Sequence, residues 1–422
     1  MAFFWKHAIF VLITILLIGY VIVDILLRDQ LRMMSLIMIS DLQSVITHRI
    51  LILVLKAFNS AFPIFFIICS LLVAYLEGKK EVIKLGFFFL HALYFCGILK
   101  VLYRDGRPYF EQENIKALDI CLPDYGHPSS HVFLTTIGAI IFFIQIYQYN
   151  TGTPKQMSFS KWCSLITALL FSVVGFAEVC FCRIAFGMHH LHQIILASFL
   201  GCYLCYLYWY CLDSFFSWML NKVELKMLYK GSYTGFILVT IIYAFLGVFP
   251  SILILIRYPT PEQKNEWSKN FIAHCPRRFF YENFLGNASI ISCGPIFTLI
   301  GYFIGVLLGH KCFGIQYKDF STFRMSYCIK TIKFFIVCLQ IIAVFLCFIF
   351  IPISNLYISY FIKFCLASLL AAFIWMAVLP ILFRKINFLD ADDFFELDDE
   401  EDRIITSKGF LLLHSFNFFR SS

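Results

Sequence analysis

Charge is scarce in this sequence: only 14% of its 422 residues are Asp, Glu, Lys or Arg, against about 25% in a typical soluble domain. With 60% hydrophobic residues and a mean hydropathy of +0.81, the chain has more apolar surface than a soluble fold of its length can hide, so lipid must cover much of it. Metal-binding cysteine spacing is missing as well. Most of the 16 Cys lie inside apolar runs, among them Cys96, Cys163, Cys180, Cys202, Cys205 and Cys211. Cys202 and Cys205 form a Cys-x-x-Cys pair, but inside an apolar helix, so these residues read as small buried hydrophobes and not as zinc ligands. No basic stretch interleaves with exposed aromatics, and the net charge of +8 therefore signals membrane topology and no nucleic-acid partner. No soluble domain is inserted and no internal repeat is visible.

What is present is a series of apolar runs long enough to span lipid, near 7–27, 50–76, 83–103, 131–149, 162–182, 191–213, 234–256, 288–309, 331–352 and 356–383. The expected fold is all-α, a polytopic transmembrane bundle of about ten helices. Its expected parts are an N-terminal membrane helix and interfacial segment over 1–49, a six-helix core over 50–213, further membrane helices over 214–384, and an acidic tail over 385–422. The run Ala8–Leu27 is too long for a signal-peptide core and reads as a first span or signal anchor. The mixed segment 28–49 (Arg28, Asp29, Arg32, Asp41) is expected along the interface. Residues 390–402, DADDFFELDDEED, read as a solvated acidic tail.

Short basic loops fall on one side of this bundle: Lys79, Lys80 and Lys84; Lys155 and Lys161; Lys222, Lys226 and Lys230; Lys311, Lys318, Arg324 and Lys330. The positive-inside rule places them in the cytosol. The opposite side receives 28–49, 104–130, 183–190 and 257–287, where acids roughly balance bases. Cys121 and Cys275 fall in loops on that side and could pair. The sequon Asn287-Ala288-Ser289 also lies there, close to the next helix.

Three clusters sit where apolar runs meet this non-cytosolic face. Lys100-x6-Arg107-Pro108 ends the third span. Gly126-His127-Pro128-Ser129-Ser130-His131 opens the fourth. Arg183-x5-His189-x3-Gln193 links the fifth and sixth. Parity brings all three to one face. A phosphate monoester carries about two negative charges, and in-line displacement spreads that charge over the equatorial oxygens, so catalysis needs fixed cations, a nucleophile and a proton donor. Lys100, Arg107 and Arg183 supply cations. Ser129 offers a hydroxyl, and the backbone N–H groups around Ser129 and Ser130 can face an anion at a helix start. Two histidines suit a nucleophile and a general acid. Gln193, one helical turn beyond His189, can accept the N–H of its far nitrogen. Taken singly, each residue has a plain alternative: a snorkelling Lys100, an ordinary loop at Arg107-Pro108, an N-cap at Pro-Ser-Ser, histidines as interfacial polar fillers. Their joint occurrence in order, at helix ends of one face, favours the functional reading.

At these residues the chain resembles the type-2 phosphatidic acid phosphatase and haloperoxidase superfamily, whose signature is K-x6-R-P, P-S-G-H and S-R-x5-H-x3-D. Here the motifs read KVLYRDGRP, PSSH and CRIAFGMHHLHQ. The resemblance spans roughly 50–213. It implies a six-helix core, a phosphohistidine on His189, His131 as general acid, and Lys100, Arg107, Ser129, Ser130 and Arg183 holding the phosphoryl group; it implies no metal or cofactor. Ser130 replaces Gly, Cys182 replaces the Ser before Arg183, and Gln193 replaces the Asp that orients the nucleophile. An amide can fix a tautomer but cannot stabilise an imidazolium as a carboxylate does. Glu178, within the fifth span, is an intramembrane carboxylate that could pair with Arg183 or reach the pocket.

The stretch 124–131 and Gly187-Met188-His189 are similar to sphingoid-base-phosphate and dolichyl diphosphate phosphatases, while His192-Gln193 and Pro261-Glu262…Glu266-Trp267 lean towards glucose-6-phosphatases. A lipid phosphate (sphingoid-base phosphate, phosphatidate or isoprenoid phosphate) is the favoured substrate, with membrane lipids as surroundings, in an endoplasmic-reticulum membrane with a lumenal site. A sugar phosphatase is the alternative. An inactive binding or transport protein on the same scaffold is the alternative of another class; it is disfavoured because both His131 and His189 are present.

Loop charge and helix parity make a first prediction. Ser129 and the rest of the site face the lumen or cell exterior, and the acidic tail faces the cytosol. Protease should remove a C-terminal epitope from sealed microsomes, while a Ser129→Cys variant, with native exposed thiols removed, resists labelling from outside. A protected tail with free labelling would reverse the orientation.

Overall fold

The computed structural model describes residues 2–119, 121–151, 159–224, 227–228, 231–256, 261–275, 288–313, 315, 327–353 and 355–385. The acidic stretch 390–402 and Asn287 lie outside the described residues. All regular structure among the described residues is helical. Ten of these helices are long and apolar enough to cross a membrane, which makes the chain an integral membrane protein of the all-α polytopic class.

With the polar α8 these make eleven helices, in chain order α1 (Ala2–Val45), α2 (Arg49–Glu77), α3 (Lys79–Tyr103), α4 (Ser130–Thr151), α5 (Phe159–Ala185), α6 (Leu191–Met219), α7 (Thr234–Ile256), α8 (Pro261–His274), α9 (Ala288–Phe313), α10 (Tyr327–Ile349) and α11 (Leu356–Phe383). The helix α4 lies between α2, α5 and α6, and α3 packs along the start of α9. Behind them α9 packs on α11 and α7, and α11 on α10. Large apolar side chains of α1, α2, α5, α7 and α10 point outward, among them Leu26, Leu53, Leu170, Phe245 and Leu339, as expected of surfaces facing lipid rather than water.

One expectation changes. Residues 28–45 continue α1 as a single helix of 44 residues, about 66 Å long at 1.5 Å per residue, roughly twice the hydrocarbon thickness. Asp29 and Asp41 of this half are exposed, but other polar residues of α1 are aligned. Asp24, Arg28, Arg32, Ser35 and Gln43 recur at helical spacing with Ile39 and form one stripe facing the core; Asp24, Ser35 and Ile39 are fully buried. Ser35 Oγ accepts the Leu191 N–H (2.8 Å), Gln43 Nε2 donates to Lys116 O (2.8 Å) and Ala185 O (3.3 Å), and Arg32 pairs with Glu111 (2.6 Å). Thus α1 is a strut that holds the start of α6 and the α3–α4 loop together.

The α3–α4 loop, 104–129, is the longest connection between the membrane helices among the described residues. Arg104 caps α3 in the left-handed region (φ 53°), its N–H returning to Lys100 O at 3.0 Å, which reverses the chain and sends Asp105, Gly106 and Arg107 inward. Pro108 then opens a single helical turn, Pro108–Glu111. Against that turn packs α8, with Asn270 donating to Phe110 O (2.8 Å) and the Trp267 ring tilted against Phe110, centroids 5.7 Å apart. A disulfide joins Cys121 to Cys275, pinning the loop to the end of α8 and realising the pairing that loop placement allowed.

Candidate active site

Lys100, Arg107, Arg183 and His189 converge on one point, all but fully buried. Lys100 comes from the last turn of α3, Arg107 from the loop, Arg183 from the last turn of α5 and His189 from the α5–α6 link. Gly187, at φ 68°, makes the turn that a side chain would strain, and the Met188 and His189 N–H groups return to Arg183 O at 3.1 Å.

His189 Nε2 stands 3.2 Å from Arg107 Nη1 and 3.3 Å from Arg183 Nη2. Guanidinium groups only donate, so Nε2 carries the lone pair and Nδ1 the hydrogen. Nδ1 faces two acceptors, Gly126 O at 2.8 Å and Gln193 Oε1 at 3.1 Å, as expected for Gln193. Gly126 is required for this approach, because a Cβ there would lie 2.6 Å from Gln193 Oε1 and 2.7 Å from Gly106 O.

Burial lowers the His189 pKa well below the usual range, and the nearby Arg107, Arg183 and Lys100 charges lower it further, so the imidazole stays neutral. His127 is also shifted down by burial, against the opposing pull of Asp24.

A cavity of about 220 Å³ opens beside His189, lined also by Lys100, Arg107, Asp124, Ser130 and His131. Its other wall is less polar: Leu122, Pro123, Ala288 and Ile291, with Ser292. His131, in the first turn of α4, therefore shares the cavity with His189. Ser129 departs from expectation. Its N–H donates to Gln193 O at 3.3 Å, and its hydroxyl is buried without a hydrogen-bond partner and does not line the cavity; the tight fit of the loop against α6 uses the backbone group that was expected to face an anion. Glu178 does not pair with Arg183. It accepts from Cys182 Sγ at 2.9 Å, one helical turn away.

Sequence reasoning missed the acids that balance the cations. Asp124 accepts from Lys100 Nζ (2.5 Å) and Arg107 Nη2 (2.7 Å). Burial alone would raise its pKa, but Arg107 and Lys100 outweigh that and hold the carboxyl below the usual range. Asp119 accepts from Arg183 Nη1 (3.0 Å) and Asn59 Nδ2 (2.9 Å). The signal was available: three cations in a poorly solvated site need counter-charges, and 104–129 holds Asp105, Glu111, Glu113, Asp119 and Asp124.

A second polar group lies behind His189. Asp105, His127 and His192, all buried, place ligand atoms within 4.8 Å of one another and are the residues here that could hold a metal ion. His192 Nε2 lies 2.7 Å from Asp105 Oδ2, and Asp24 lies 3.5 Å from His127 Nε2 and 3.2 Å from Arg28. His190 Nε2 reaches Glu111 at 3.1 Å.

Residues 81–217, which carry all three clusters, match the family model of the PAP2 superfamily. The match supports that superfamily for this segment, and with it a phosphatase or phosphoesterase activity. No curated protein and no solved structure matches this chain.

Two expectations follow from these charges. Asp124 occupies the cations that an incoming anion would use, so Asp124→Asn should tighten binding of inorganic vanadate by about tenfold, the scale of one charge-assisted hydrogen bond; calorimetry showing equal or weaker binding would refute this. In the unfolded chain His127 and His189 take protons near pH 6.5, whereas in the fold they resist protonation. The unfolded state then binds more protons, and stability falls as pH drops through about 6.5. Melting in detergent should occur at lower temperature at about pH 5.5 than at about pH 7.5; an unchanged or rising melting temperature would contradict it.

Proposed function

We propose that this chain is a membrane phosphomonoesterase that hydrolyses a lipid phosphate through a phosphohistidine. One observation carries the reading: the lone pair of a neutral His189 is aimed between two guanidinium groups, its far nitrogen held by two acceptors, in a cavity shared with His131 and Lys100.

In the first step the substrate phosphate displaces Asp124 from Lys100 and Arg107, which turn to its equatorial oxygens together with Arg183. His189 Nε2 forms a bond to phosphorus as the ester P–O bond breaks, and His131 gives its proton to the leaving oxygen. In the second step water attacks phosphorus, the P–N bond breaks, and His131 takes the proton from water. Charge built up on the equatorial oxygens meets preplaced cations, so little reorganisation is needed.

The lipid assignment is supported by the apolar wall formed by Leu122, Pro123, Ala288 and Ile291 and by the position of the site at the ends of membrane spans. A lumenal site in the endoplasmic reticulum is supported by the basic loops opposite and by the Cys121–Cys275 disulfide on the site's own face, since disulfides persist in oxidising compartments.

The purified protein should release phosphate from long-chain lipid monophosphates faster than from glucose 6-phosphate; the reverse order would support the sugar-phosphatase reading. His189→Ala should lower turnover by about 10³-fold or more and abolish acid-labile labelling by radioactive substrate. Activity should survive chelators and be inhibited by vanadate. Label on another residue, or a strict need for added divalent metal, would overturn the mechanism.

A further inference from the structure

Gln193 stands one turn beyond the nucleophile, where a carboxylate would do more for a histidine that gains positive charge. The missing carboxylate is present one amide further away. Gln193 Nε2 donates to Asp105 Oδ2 and to Gly106 O, each at 2.7 Å. Two acceptors on that side leave the amide a single orientation, because its oxygen cannot face them. The oxygen must therefore point the other way, and there it meets two donors, His189 Nδ1–H (3.1 Å) and the His190 N–H (3.2 Å). The chain Asp105–Gln193–His189 runs in one direction, from carboxylate to amide to imidazole.

We propose that Asp105 is a positioning residue for the nucleophile, acting through Gln193. Its carboxylate locks the Gln193 amide and polarises it, so that the amide oxygen carries more negative charge towards His189 Nδ1–H as phosphorus bonds to Nε2. Asp105 is itself buried and is oriented by His192 Nε2, at 2.7 Å from the same oxygen. The carboxylate is thus supplied by the first sequence cluster, between Lys100 and Arg107, rather than by the third. Hydrogen-bonded chains of this kind strengthen each member in a low-dielectric interior; in metal sites, losing the outer partner that orients a ligating imidazole costs about 10–100-fold, and a loss of that scale is expected here. The inference rests on His189 being the nucleophile.

The test is a double-mutant cycle on the full-length protein, measuring kcat, KM and radioactive phosphoenzyme, with melting temperature as the folding control. Asp105→Asn keeps the shape and an acceptor oxygen but removes the charge; kcat should fall about 10–100-fold with KM nearly unchanged. Gln193→Glu puts a carboxylate directly on His189 but beside Asp105, and the two like charges should make this variant slow as well. Combining Asp105→Asn with Gln193→Glu restores one carboxylate and one amide in exchanged places, and kcat should recover above both single variants. A merely structural Asp105 would give losses that add. If Asp105→Asn alone does not fold, the double variant still decides: recovered turnover supports the relay, and a folded but inactive double variant overturns it. If wild type forms phosphoenzyme and His189→Ala does not, yet Asp105→Asn turns over within about twofold of wild type, less than any oriented partner is worth, the relay is wrong and the phosphatase reading stands. If wild type releases no phosphate from any substrate, the phosphatase reading itself fails.

Discussion

Everything at the site depends on burying three cations within reach of one imidazole. Lys100, Arg107 and Arg183 are almost wholly shielded from water, and unpaired charges cannot remain so. The resting protein answers with two carboxylates from a single loop, Asp124 for Lys100 and Arg107, Asp119 for Arg183. These acids hold the places that phosphate oxygens would take. The cations are therefore paired before any ligand arrives, and on the proposed phosphatase reading binding is an exchange of one anion for another rather than the burial of new charge.

That exchange explains the architecture around the loop. A segment carrying two counter-charges must be held closely yet present them from the solvent side; the Asp124 side chain keeps 17% of its surface exposed. The disulfide to Cys275, the packing of α8 on Pro108–Glu111, and the bonds from Gln43 and Arg32 of α1 all restrain it. The Tyr125 N–H is taken by Ser289 Oγ at 3.0 Å, so α9 also holds the loop. Helices outside residues 81–217 thus complete the site, and Ala288, Ile291 and Ser292 of α9 line its cavity.

The inner layer behind His189 is of another kind. Asp105, His127, His190, His192, Asp24 and Glu111 form a buried polar network with no direct access to the cavity, and its order is set by pairings at 2.7–3.5 Å. Several of its atoms, among them both His127 ring nitrogens and His190 Nδ1, have no hydrogen-bond partner among the described residues, and the group touches His189 only through Gln193, which donates to Asp105 and accepts from His189 Nδ1.

Much of this was legible before any coordinates. Hydropathy gave ten spans because a bilayer demands a minimum apolar length from each helix, and the three motifs declared the cations and both histidines because phosphoryl chemistry needs those side chains at helix ends of one face. The contact of Gln193 with His189, at 3.1 Å, follows from their one-turn spacing. The stripe Asp24, Arg28, Arg32, Ser35, Gln43 was equally present as a helical period, but charges near a helix end also suit an interface, and only the packing of α1 against α6 and the loop distinguishes the two. The need for counter-charges from 104–129 was legible, but which of Asp105, Asp119 and Asp124 pairs with which partner was not: an acid in a long irregular loop has no periodicity to aim it. By itself the sequence determined the membrane-spanning class and named the candidate residues that meet at the cavity, since both follow from composition and local spacing. Only the tertiary structure decided which acid neutralises which cation, and that Gln193 has a carboxylate behind it, because those contacts join residues 17 to 88 positions apart whose meeting depends on how the α3–α4 loop is folded against α5 and α6.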